Sequence, residues 1–149
     1  MNNNEVISIL DGLIGACKKG QDGFRHAAET IQNSEFRRLF NIFSQQRAQF
    51  ITELKTEVHR LGGDAAVEEG PIGLPSNTLL FRTAAAKAAA VRDEASIIGE
   101  CQHEEEAAVN AYQEALKADL PLDVQYVVKR QYMDIKDAYD RIRILQRAA

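Results

Sequence analysis

No apolar run in the sequence approaches the ~20 residues that span a bilayer, so no transmembrane helix and no membrane partner are expected. The opening stretch, MNNNEVISIL, lacks the basic start and cleavage site of a signal peptide. That predicts a cytoplasmic protein. Cysteine is scarce: only Cys17 and Cys101 are present among 149 residues, and both should be reduced there. There is no glycine-rich phosphate loop, no Cys-x-x-Cys and no plausible catalytic triad, so no enzyme class is indicated by motif. Positive charge is not in excess either. The formal net charge is -4 and the pI is about 5.4, which argues against a nucleic-acid partner or an anionic membrane surface. Prolines occur only at positions 71, 75 and 121, which leaves long uninterrupted stretches on either side.

Those stretches are patterned as helices. Apolar residues recur at spacings of three and four through Leu10, Leu13, Cys17, Phe24, Ala28 and Ile31. The same spacing runs through Phe36, Phe40, Phe43, Phe50, Leu54, Val58 and Leu61. It returns in Ala95, Ile98, Cys101, Ala108, Tyr112 and Leu116, and again in Val124, Val128, Ile135, Ala138, Ile142 and Leu145. Each set forms one face of a helix. The punctuation agrees. Asn33-Ser34 and Asp93 suit N-caps, Gly62-Gly63-Asp64 suits a C-terminal stop, and Pro121 suits the first turn of a following helix. Helices are predicted over about 4–31, 34–61, 93–118 and 121–147, roughly 26–29 residues or ~40 Å each.

The connections are unequal. Short turns make each helix pair an antiparallel hairpin. Residues 62–92 join the pairs, and their alanine-rich part predicts a short extra helix over 78–90. One long crossover between two hairpins is the ferritin-like arrangement. The fold class is therefore all-α, a ferritin-like four-helix bundle in one domain over 1–149. A shift of 84 residues also superposes the halves: Leu13–Phe24 falls on Ile97–Ala108, with Gly15 on Gly99 and Cys17 on Cys101. The stripe Phe43, Arg47, Leu54, Val58 falls on Val127, Gln131, Ala138, Ile142. Two hairpins related by a pseudo-two-fold explain this.

Polar residues interrupt each stripe near its middle: Gln21 and Asp22, then Gln46 and Arg47, then Glu105, then Gln131 and Asp134. They are expected to meet in one buried layer. Burying a lone carboxylate is costly. Arg47, with five donors, can bridge Glu105 and the Gln21–Asp22 region.

The glutamates before Tyr112, the QQRAQF segment at 45–50 and the glycine pair closing the second helix together resemble a bacterial ferritin-like family of unknown function. The resemblance implies a small four-helix bundle whose di-iron relatives carry a lone carboxylate on the first and third helices and Glu-x-x-His on the second and fourth. Asp22 and Glu105 or Glu106 correspond to the lone carboxylates. The corresponding stretches QRAQ at 46–49 and QYMD at 131–134 contain no histidine and a single carboxylate. No metal and no cofactor are therefore expected. The alternative is an iron or manganese oxidase or storage protein using Asp22, Glu105, Glu106 and Asp134. Glu100-x-x-His103 lies on the outward side of the third helix, and His26 and His59 are expected at the surface or its boundary.

Two further expectations concern contacts. Cys17 and Cys101 should lie on opposite sides of the polar layer, ~12 Å apart, and stay unpaired. The small-residue face of the first helix, with Gly12, Gly15 and Gly23, should be covered by the crossover helix or by a second subunit, in a homodimer or higher homo-oligomer. Together these readings predict a non-catalytic bundle that oligomerises or binds a protein, with a degenerate metal-site layer.

Overall fold

A computed structural model describes residues 1–63 and 93–148. Four α-helices make up these residues: α1 (Asn3–Thr30), α2 (Ser34–Arg60), α3 (Glu94–Leu116) and α4 (Leu122–Ala148). The expected helix over 78–90 lies outside the described residues.

The helix ends follow from local chemistry. The Asn2 side chain accepts from the Glu5 amide. The Asn33 side chain accepts from the amides of Glu35 and Phe36, and Asp93 from Ser96 at 2.8 Å. Each satisfies donors that the first turn leaves open. Helix α2 stops in a glycine cap. Gly62 takes φ +85°, its amide donates to the His59 carbonyl, and the Gly63 amide donates back to the Val58 carbonyl. Gly63 must also be bare, since a Cβ there would fall 2.7 Å from Ile7 and 2.9 Å from Val58. Helix α3 is shorter than expected, at 23 residues. Pro121 restricts the residue before it, and the chain turns through Lys117–Leu120 first. Pro121 sits just ahead of α4, its carbonyl accepting from Gln125.

The core divides into two apolar clusters. One holds Val6–Cys17 of α1, Phe50–Val58 of α2, Ala108–Ala115 of α3, and Val124, Val128 and Ile135 of α4. The other holds Phe24–Ile31, Phe40 and Phe43, Ile97–Cys101, and Ala138 and Ile142. This grouping fixes directions. α1 and α4 run one way, α2 and α3 the other. The chain leaves α2 at one end of the bundle and enters α3 at the opposite end, so the hairpins are joined across the bundle's length. Cys17 belongs to one cluster and Cys101 to the other, and both are free and buried. Polar side chains occupy the boundary between the clusters.

Candidate functional site

Arg47 and Glu105 stand at that boundary. Arg47 continues the α2 stripe between Phe43 and Phe50. Glu105 continues the α3 stripe between Cys101 and Ala108. They are 0% and 1% exposed. The guanidinium donates from Nη1 to Glu105 Oε1 at 2.7 Å and from Nη2 to Oε2, a bidentate fork matched to carboxylate geometry. The Arg47 Cζ also lies 5.3 Å from the Phe24 ring centroid, within cation–π range. Burial alone would lower the arginine's pKa; the hydrogen bonds and charge of Glu105 outweigh it and hold the pKa above its ordinary value. The Nε–H finds no partner among the described residues. The pair is balanced in charge but not fully hydrogen-bonded.

Room for the guanidinium comes from α1. The α1 stripe passes through Leu13, Cys17 and Phe24, and the position between Cys17 and Phe24 is Gly20. A Cβ on Gly20 would stand 3.0 Å from Arg47 Nη1 and 3.5 Å from its Cγ. Where a carboxylate-bearing helix would present a side chain, this helix presents none.

A second set of polar groups adjoins the first. The Tyr112 hydroxyl donates to Gln131 Oε1 at 2.7 Å and lies 3.2 Å from Cys17 Sγ. With the phenol's single proton committed to Gln131, the thiol is the donor to the phenol oxygen. Gln131 Nε2 donates to Glu53 Oε1 at 2.9 Å and to the Phe50 carbonyl at 3.3 Å. Glu53 in turn meets Arg130 Nη2 at 2.9 Å. The network therefore runs from the core out to a half-buried ion pair. Burial raises the Cys17 thiol to about 11, against lowering by the Tyr112 bond and the Arg47 charge. Burial likewise lifts Tyr112 well above its ordinary value, and Cys101 to about 12.

Of the seven residues expected in the layer, Arg47, Glu105 and Gln131 are buried together. The other four are not. Gln21 and Asp22 are half-buried, because Gly20 and Phe24 hold the midline of α1; the Gln21 carbonyl accepts from Ser44 Oγ at 3.0 Å. Gln46 is half-buried beside Arg47. Asp134 is exposed. It follows Gln131 by three residues, but the α4 stripe advances by four at that point, to Ile135. Glu106 is also exposed, one residue past the inward Glu105. Sequence reasoning overlooked the hydroxyl of Tyr112 and the thiol of Cys17 as members of the layer, since both occupy apolar stripe positions.

These placements decide whether the metal of ferritin-like relatives has a site here. It does not fit. Of Asp22, Glu105, Glu106 and Asp134, only Glu105 points into the centre, and Arg47 occupies both of its oxygens. Among the described residues, no three of His, Cys, Asp and Glu group so as to hold a metal ion. Glu100, His103 and His59 are exposed and His26 is half-buried. An arginine has no lone pair to offer a cation, and its fixed charge repels one.

The glycine face of α1 borders α3. Gly12, Gly15, Ala16 and Lys19 form one wall of a groove of about 600 Å³, and His103 and Ala107 stand on the other. A Cβ on Gly12 or Gly15 would meet nothing within 4 Å, whereas one on Gly23 would meet the flexible end of Glu104. Among the described residues, no helix is long and apolar enough to cross a membrane.

Comparison with known proteins agrees with this architecture. The sequence matches none of the curated proteins. Among solved structures, it is similar to a two-domain protein from Anabaena variabilis containing DJ-1/ThiJ/PfpI-like and ferritin-like domains. The TM-score is 0.77 at 15% identity, and the match covers 99% of this chain but 37% of that one. The likeness is one of fold, and this chain spans little more than a third of that protein. Residues 5–118 match the model of a domain of unknown function, DUF2383. The chain thus belongs to the DUF2383 family and folds as a ferritin-like four-helix bundle.

Proposed function

We propose that this protein is a non-catalytic ferritin-like bundle that acts through its surfaces, as an oligomerising or protein-binding module of the cytoplasm. The observation that carries the reading is the buried Arg47–Glu105 fork at the bundle centre. An internal cation takes the position where a ferritin-like protein would hold a metal pair. The remaining central groups, Cys17, Tyr112 and Gln131, satisfy one another and present no acid–base pair to a substrate. A buried polar layer of this kind fixes helix register. What is left to interact is the outside.

A thermal-shift titration tests this. A ligand that binds only the folded state raises the melting temperature by mass action. Excess iron(II) under anaerobic conditions, or manganese(II), should leave the melting temperature of the wild type unchanged. A saturable increase abolished by Glu105→Ala would replace this reading with a metal-dependent one.

A further inference from the structure

Six large apolar side chains are exposed among the described residues, and four of them lie on α4: Leu122 (83%), Tyr126 (69%), Met133 (66%) and Ile144 (63%). Singly exposed apolar residues are ordinary. These four are not scattered. At ~100° per residue they fall within roughly 40° of one another, about 180° from the buried Ile135. Helix α4 thus has two apolar seams. One, through Val124, Val128, Ile135 and Ile142, faces the bundle. The other faces away from it along most of the helix.

The charges beside the outer seam identify its partner. Along one flank stand Asp123, Arg130, Asp137 and Arg141, in the order acid, base, acid, base. Read backwards, the order is base, acid, base, acid. A two-fold axis through Met133 sets a second α4 antiparallel to the first and keeps each flank facing its own copy. Asp123 then lies opposite Arg141 of the second copy, and Arg130 opposite Asp137. The same operation sets Leu122 against Ile144, and Met133 against itself. On the other flank Lys129 comes within reach of Asp140; the like-charged approaches are Lys129 against Lys136 and, beside the axis, the exposed Asp134 against its own copy. Parallel pairing would turn the first flank towards the other one, losing both of its pairs and bringing Arg130 beside Lys129 of the copy. These side chains already have partners within the protomer, which docking would exchange or share: Arg141 and Asp137 pair within the helix at 3.1 Å and are 59% and 64% exposed, Arg130 meets Glu53 at 2.9 Å, and Lys136 meets Asp140 at 2.8 Å.

We infer that the outer seam of α4 is an isologous interface, at which a second copy of this chain docks antiparallel about Met133. This names the partner that the proposed function leaves open, and it rests on that reading. The test is independent of metal content, so a failure here would leave the metal-free centre standing, and the reverse also holds.

Sedimentation velocity of the full chain should give a dimer at micromolar concentration. Met133→Glu, which sets two carboxylates face to face on the axis, should weaken dimerisation by at least a hundredfold without loss of helicity. Ile42→Glu, exposed on α2 and off the seam, should leave the dimer intact. Asp137→Arg should weaken the dimer by opposing Arg130, and Arg130→Asp added to it should restore most of the affinity. A monomeric wild type would overturn the inference, as would a dimer indifferent to both Met133→Glu and Asp137→Arg.

Discussion

Replacing Arg47 by methionine isolates the cost of leaving Glu105 without its cation. Methionine keeps an unbranched side chain of similar reach, so the change opens less of a cavity than alanine would. Two hydrogen bonds disappear, one of them 2.7 Å long, together with the contact to Phe24. What remains is a carboxylate only 1% exposed, among apolar neighbours. Breaking a buried pair on one side costs about 3–5 kcal/mol. Set against a total stability of roughly 5–15 kcal/mol, that is a large fraction. At roughly 2–4 °C per kcal/mol for a chain of this size, melting should fall by roughly 6–20 °C. Circular dichroism melting and urea titration at neutral pH measure it. The double variant Arg47→Met with Glu105→Gln should recover much of the loss, because a neutral amide is far less costly to bury than an unpaired charge. A single variant that melts like wild type, or a double variant no more stable than the single, would refute the view that the two groups neutralise each other in a dry centre.

The glycines of α1 should separate by what faces them. Gly15→Ala meets open space and should gain up to ~1 kcal/mol of helix propensity. Gly20→Ala crowds Arg47 Nη1 at 3.0 Å and should forfeit that gain or turn destabilising; equal gains in urea titrations would show that the guanidinium is not held against α1. The thiols supply a pH test. Burial raises Cys17 to about 11 and Cys101 to about 12, from an ordinary value of 9.0. Above pH 9 the unfolded thiols release protons that the folded ones retain, so stability is full below pH 9 and falls as pH rises towards 11–12. Cys101→Ala should flatten part of that alkaline slope, whatever it does to stability at neutral pH. Both thiols should resist iodoacetamide at pH 8 in the folded state and react fully after denaturation. Rapid labelling of the native protein would contradict their burial.

How legible the fold was depended on which signals the side chains themselves carry. The four stripes and the caps at Asn33, Asp93 and Gly62 rest on local chemistry, and the structure has them where the residues imply, except that Ala95, expected to open the third stripe, is exposed and Ile97 is buried instead. Arg47, Glu105 and Gln131 were readable because a polar residue on an apolar stripe has to find a partner inside. Gln21 and Asp134 misled because each is a single residue off its stripe, and a polar residue beside the stripe reaches water at little cost. Gly20 was illegible as a site residue: its contribution is an absent side chain, visible only once Arg47 lies over it. Tyr112 reads as an apolar stripe residue because its ring is one; its hydroxyl matters through Gln131, on a different helix. Relations between helices were the part that the periodicity of any one helix did not contain.

The central proposal, that Arg47 occupies the carboxylate at the bundle centre so that no metal is held there, is tested most directly by counting metal. The protein is loaded anaerobically with iron(II), or with manganese(II), then desalted and analysed for metal per chain, alongside Glu105→Ala. The account predicts retention far below one ion per chain for both proteins, since both oxygens of the buried Glu105 carboxylate are bound to Arg47. Two ions per chain in the wild type, lost in Glu105→Ala, would contradict it.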